Sequence, residues 1–191
     1  MRFIKQTFLL VIVSTLLVSC GGPFTRVTKP EYANEKQGYN VNLPTGWVQY
    51  KSPQTGDALI ISRDGYSLQS IQISGLTHEK AFEKIKKTSN GLMPVSDLAD
   101  LEIAEFKAVN SNAASVKILE NELAKVSNKN AFKLHLEYLN DKGLRLEHKV
   151  YGFATKEYYY RLSYFAPTLH YYKRDEHVFD KVVSEFRLNS E

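Results

Sequence analysis

Hydrophobic and polar positions divide the chain into an apolar leader, an aperiodic stretch, and a longer region with alternating and helical patterns. Arg2 and Lys5 precede residues 8–18, which are apolar except for Ser14 and Thr15. A bilayer span needs about 20 apolar residues, so this run fits the core of an export signal better than a membrane helix. Residues 21–37 are polar, interrupted by Pro23 and Pro30, and lack an apolar period. They read as a tether. From residue 38 the pattern changes. Tyr39, Val41 and Leu43 alternate with Asn40 and Asn42, as in a half-buried strand, and Pro44-Thr45-Gly46 closes it in a turn. Extended chain resumes at 47–50, and further strands are predicted at 58–63 and 68–74. Thr77 has the chemistry of a helix N-cap, with Glu79 in the first turn and an apolar stripe at Ala81, Phe82 and Ile85. A second helix is predicted from Ser96 or Asp97 through Leu98, Leu101 and Phe106, followed by a loop at 109–115.

The second half carries the clearer signals. Residues 117–126 read as a strand. In 131–139, Phe132, Leu134, Leu136 and Tyr138 share one face, while Lys133, His135 and Glu137 share the other. Residues 140–143 form a turn signal, and 144–154 return as the partner strand. Matching the apolar faces sets Glu137 opposite Arg145 and His135 opposite Glu147, with His148 on the apolar side. A last strand at 157–165 places Tyr158, Tyr160, Leu162 and Tyr164 together. Val178, Phe179, Val182, Val183 and Phe186 then recur at helical spacing. Strands, two helices, an antiparallel run and a final helix predict an α+β domain. Apolar residues on both sheet faces predict an antiparallel sheet sandwiched by helices, an α/β/α arrangement.

Cysteine usage changes the picture more than composition does. Cys20 is the single cysteine, so no internal disulfide can form. Leu17-Val18-Ser19-Cys20 follows the apolar run directly and resembles the bacterial lipobox, in which a diacylglycerol joins the cysteine sulfur and cleavage falls just before it. The predicted organisation is therefore a signal peptide at 1–19, a lipidated tether at 20–37 and one domain at 38–189. Each acyl methylene buried adds about 0.8 kcal/mol of membrane binding, so two or three chains anchor a domain stably. A residue other than Asp after the lipidated cysteine resembles an outer-membrane sorting signal in Gram-negative bacteria, and Gly21 fits that pattern. The expected location is the bacterial cell envelope, on the periplasmic face of an outer membrane where there is one. Removing the signal lowers Lys plus Arg from 25 to 23 against 21 acidic residues, so the net charge falls from +4 to +2. Basic residues form no stripe, and no nucleic-acid partner is expected.

Two segments resemble the PsbP-like fold, which nuclear Ran-binding Mog proteins and many small bacterial proteins share. Tyr39-Asn40-Val41-Asn42-Leu43-Pro44-Thr45-Gly46-Trp47 is similar to that family's opening strand and Pro-x-Gly-Trp turn. Tyr158-Tyr159-Tyr160-Arg161-Leu162-Ser163-Tyr164, then Ala166-Pro167 and a helix closing on Val183-Ser184-Glu185-Phe186-Arg187, are similar to its end. The resemblance covers most of 38–189. It implies a central antiparallel sheet between helices, and binding or assembly accessories of larger complexes with no shared catalytic residues. The lipid anchor departs from the plant and nuclear members.

Candidate chemistry is sparse. His135 and Glu147 offer an imidazole and a carboxylate for a metal, but His148 points to the other face, which leaves too few converging ligands. A surface ladder of alternating charge explains the same residues. Asp175, Glu176 and His177 suit the start of the last helix. No nucleophile elbow, phosphate loop or dinucleotide fingerprint is present in the sequence. Trp47 reads as packing. The tyrosines are dense enough to form a contact surface, with Tyr164, Tyr171 and Tyr172 the candidate positions, although strand propensity and core packing explain many of these rings. The expected function is a non-enzymatic binding or assembly accessory of the envelope. It has no cofactor, metal or catalytic residue, and its partners are the membrane and an envelope protein or polymer. The alternatives are a small metal-dependent or hydrolytic enzyme and a carrier of an apolar ligand.

Overall fold

The computed structural model describes residues 22–189. The expected signal peptide and Cys20 lie outside the described residues. Eleven strands and two helices follow in the described chain. They are β1 (Phe24–Arg26), β2 (Glu31–Asn34), β3 (Tyr39–Asn42), β4 (Val48–Tyr50), β5 (Leu59–Ser62), β6 (Ser70–Thr77), α1 (Val95–Val109), β7 (Ser115–Val126), β8 (Lys129–Leu139), β9 (Arg145–Ala154), β10 (Tyr158–Pro167), α2 (Lys173–Glu185) and β11 (Arg187–Leu188). The large sheet has the order β1-β4-β5-β6-β10-β9-β8-β7, and a small one the order β11-β3-β2. Every pairing in both is antiparallel.

The central strand β10 shows why the chain folds this way. Successive strand side chains point to opposite faces. Tyr160, Leu162 and Tyr164 enter the larger core with Phe179, Val182 and Val183 of α2. Tyr159 enters a second core with Leu98 and Ala99 of α1. A strand apolar on both sides can be buried on both sides. Tyr39 of the small sheet stacks on Phe186 with ring centroids 5.1 Å apart, fixing the C-terminal end of the chain to the opening strand.

Three expectations are corrected. The segment read as a tether is, from Phe24 on, part of the fold. β1 pairs with β4 and β2 with β3, because Val27 and Tyr32 find core partners that their aperiodic neighbourhood does not advertise. The predicted helix at Thr77 does not form. Ala81 and Phe82 are buried as that pattern required, but the chain turns tightly: Phe82 bridges Lys87, and Lys86 sits at φ 54°. The amides of Lys84 and Ile85 donate to the Glu105 carboxylate of α1, which replaces a helical ladder. The β8–β9 register differs by two residues, pairing Glu137 with Glu147 and Leu139 with Arg145. Asn140 and Leu144 close the turn, with Gly143 at φ 74°. An even shift keeps every side chain on its face. Arg145 therefore still donates to Glu137 at 2.6 Å, and His135 meets Glu147 at 2.7 Å, both diagonally.

Candidate functional site

Beneath α2 the polar face of the β8–β9 hairpin is covered, not exposed. His135, Glu147 and Lys149 are all buried. His135 Nε2 lies 2.7 Å from Glu147 Oε2, and the Tyr172 ring stacks on the imidazole at 5.1 Å and 10°. Glu120 Oε1 stays 4.0 Å from His135 Nδ1, and Glu120 is ion-paired with Lys133 at 2.5 Å. Among the described residues no three His, Cys, Asp or Glu side chains gather as a metal site. His135 and Glu147 thus belong to a buried polar layer, while Glu137, between Arg145 at 2.6 Å and Lys117 at 3.7 Å, forms the surface ladder expected of the set. Lys149 reaches Glu176 at 2.6 Å and Asp180 at 3.2 Å on α2. Burial alone would lower its ammonium pKa; the two carboxylates outweigh that and raise it. Asp175, also buried, takes Arg63 at 2.8 Å and Gln69 at 3.0 Å. Asp175 and Glu176 thus pin the start of α2 to the sheet, while His177 is exposed.

The tyrosine surface is corrected for the same reason. Tyr164 and Tyr172 are both 0% exposed. Their rings stack at 5.3 Å, and the Tyr164 hydroxyl donates to the carbonyls of Tyr171 and Tyr172. Thr168–Tyr172 is a kinked π-type turn with Leu169 and His170 outside helical φ/ψ, which turns Tyr172 inward. Tyr171 is half-buried and faces the Arg174 guanidinium at 5.3 Å.

The opposite sheet face holds a cavity. Alternation along β10 sets Arg161, Ser163 and Phe165 on the Tyr159 side, and α1 roofs them. The cavity measures about 290 Å³. Phe106 and Val109 line it from α1, with Tyr138 and His148 on the sheet. One wall is a buried ionic knot. Glu102 Oε2 accepts from the Tyr159 hydroxyl at 2.7 Å and from Arg161 Nε and Nη2 at 2.9 and 2.8 Å. Burial would lower the Arg161 pKa, but Glu102 outweighs it and keeps the guanidinium charged. His148 packs edge-on against Phe106 at 5.1 Å. Burial, then the Arg161 charge, push its imidazole down to about 3, so it is neutral at ordinary pH. A neutral imidazole offers one donor and one acceptor. Ser163 lines the same cavity. Sequence reasoning placed His148 on the correct face but missed the cavity. The available signal was Glu102, an acidic residue at core spacing between Leu98 and Phe106, together with Arg161 among strand aromatics.

An antiparallel eight-stranded sheet with α1 and α2 as described defines an α+β domain of the PsbP/Mog-like fold. The solution structure of cyanobacterial PsbP from Synechocystis sp. PCC 6803 matches with a TM-score of 0.55 at 16% identity, covering 91% of this chain and 99% of that one. The Ran-binding protein Mog1p of Saccharomyces cerevisiae matches at 0.57 and 8% identity, over 87% and 97% of the two chains. A Bacteroides thetaiotaomicron protein matches at 0.52 and 13% identity over 85% of this chain, which spans only 49% of that protein's length. At these identities the likeness is one of fold. No family model matches the sequence, and no curated protein matches it.

Proposed function

We propose that the protein is an envelope lipoprotein, anchored by acyl chains on Cys20, that acts as a non-enzymatic binding module. In it the large sheet is sandwiched between α1 and α2. The cavity between α1 and the sheet carries this reading. Its walls are the rings of Phe106, Tyr138 and Phe165, the ion-paired Glu102 and Arg161, a neutral histidine and the polar side chains of Gln72, Glu105 and Asn110. Such walls suit recognition of a partly apolar ligand or partner side chain. They suit acid–base chemistry poorly, because an imidazole at about 3 is a weak base at neutral pH.

A photo-crosslinking residue in place of Val109, at the cavity rim, tests this in native membranes. The expected result is a discrete adduct that Ser163→Trp, which fills the cavity, abolishes. An adduct unaffected by filling would refute the site. Turnover of any substrate by the purified protein, lost in His148→Ala, would refute the non-enzymatic reading. One observation favours the carrier of an apolar ligand as a second reading. Phe24, Tyr50, Ile60, Gln72 and Ser163 form one cross-strand row from the sheet edge to the cavity floor.

A further inference from the structure

The edge of the large sheet where that row begins carries an exposed aromatic cluster. Phe24 is 54% exposed and Tyr66 40%. The Tyr50 and Tyr66 rings stack face to face at 4.3 Å and 6°. Phe24 lies 5.2 Å from Tyr50 and 6.4 Å from Tyr66. Two exposed rings, Phe24 and Tyr66, packed against a half-buried third at the sheet edge mark an interaction surface. α1 packs on β7, β8 and β9, at the far end of the sheet from β1 and β4.

Chain length identifies what meets this surface. Pro23 is already fixed to the sheet, because its carbonyl accepts from the Lys51 amide at 2.8 Å. Only Gly21 and Gly22 separate Pro23 from Cys20. Four residue steps from Cys20 to Phe24 span about 14 Å at full extension. The headgroup layer on each side of the hydrocarbon core is roughly 5–8 Å thick. Acyl chains on Cys20 therefore hold Phe24 at or beside the bilayer surface. Tyr50 and Tyr66, each with an apolar body and a polar tip, suit that depth, and the apolar Phe24 ring suits the boundary with the acyl chains. The surrounding charge agrees. Arg26 shares the Phe24 face of β1, Lys51 follows Tyr50, and neither forms an ion pair among the described residues. Asp64, two residues before Tyr66, is taken by Arg174.

We propose that the Phe24–Tyr50–Tyr66 cluster is a membrane-contact face, seated in the headgroup layer of the bilayer that holds the Cys20 lipid. The proposal rests on the reading of Cys20 as acylated. It gives the anchor a second role, that of fixing the orientation of the domain with β1 and β4 at the membrane.

The test uses the full acylated chain in vesicles of phosphatidylethanolamine and phosphatidylglycerol. Acylation blocks the native thiol, so a single introduced cysteine can be labelled alone. An environment-sensitive fluorophore is placed at Lys51→Cys, beside the rings, or at Lys181→Cys on α2. Headgroup-level nitroxide lipids should quench the first at least about twofold more than the second. Phe24→Ser/Tyr66→Ser should bring the Lys51 label down to the Lys181 level while the protein stays on the vesicles. Phe24→Ser alone, a change at an exposed edge, should lower it partway and guards against misfolding of the double variant. Equal quenching at both positions, or quenching unchanged in the ring variants, overturns the contact face and leaves the anchor standing. A purified chain without acyl mass that fails to float with vesicles overturns both.

Discussion

Replacing Glu102 by alanine removes the carboxylate on which three donors converge, the Tyr159 hydroxyl buried and the Arg161 guanidinium partly so. Glu102 is the link between α1 and β10, accepting from the Tyr159 hydroxyl and twice from Arg161. The substitution leaves a largely covered guanidinium with the Ala81 carbonyl but without its counter-charge. Breaking a buried pair from one side costs about 3–5 kcal/mol. The orphaned Tyr159 hydroxyl carries a penalty of its own of about 1–3 kcal/mol, which overlaps the first because one carboxylate serves both. We therefore expect a loss of about 3–5 kcal/mol, a large share of the roughly 5–15 kcal/mol typical of a domain. For a domain of this length that lowers Tm by roughly 6–20 °C. Urea unfolding followed by circular dichroism reads it as a lower midpoint with an unchanged slope. Glu102→Gln, which keeps an acceptor, should fall between. Glu102→Leu/Arg161→Met, which removes both charges, should recover much of the loss. A Glu102→Ala penalty below about 1 kcal/mol would show that the knot is solvated and that the cavity wall is not the rigid ionic structure described.

Three other outcomes follow from the same contacts. Because the folded state holds His148 neutral down to about 3 while the unfolded chain takes up a proton below about 6.5, stability should fall as pH drops through that window. The slope is at most about 1.4 kcal/mol per pH unit. His148→Gln should flatten it between about pH 6.5 and 4.5, above the range where the Glu120 carboxyl, held down by Lys133, begins to protonate; an unchanged slope in that variant would rule out His148 as its source. Tyr172→Ala should cost about 3–5 kcal/mol through a core void, whereas Tyr172→Phe should stay within about 1 kcal/mol, since the buried hydroxyl has no hydrogen-bond partner among the described residues; equal losses in denaturant titrations would contradict this. Gly152→Ala would set a methyl 2.3 Å from a Phe132 ring carbon and 2.6 Å from the Tyr159 hydroxyl. It should destabilise by about 1–3 kcal/mol in thermal unfolding, and wild-type stability would mean that β9 does not pack as described.

Local pattern alone determined much of this protein. Period-two alternation located β3, β8, β9 and β10 to within a few residues, turn residues bounded β5 and β6, and helical spacing located α1 and α2; β7 alternates poorly, and β5 is buried at every position. The assignment of side chains to the two faces of β8 and β9 is equally local. Tertiary structure decided the rest. The pattern at Ala81, Phe82 and Ile85 suits a helix, but Glu105, some 20 residues on, takes the amides that a helix would use. Phe24–Arg26 has no period of its own and becomes a strand because β4 offers it an edge. Tyr164 and Tyr172 look like a contact surface in the sequence, yet α2 and the kinked turn before it bury both. The Glu102–Arg161 knot joins residues 59 positions apart. Periodicity reports whether a position is dry or wet, but not which distant group shares the dry space with it. That pairing, which makes the cavity and the buried polar layer, comes from packing alone.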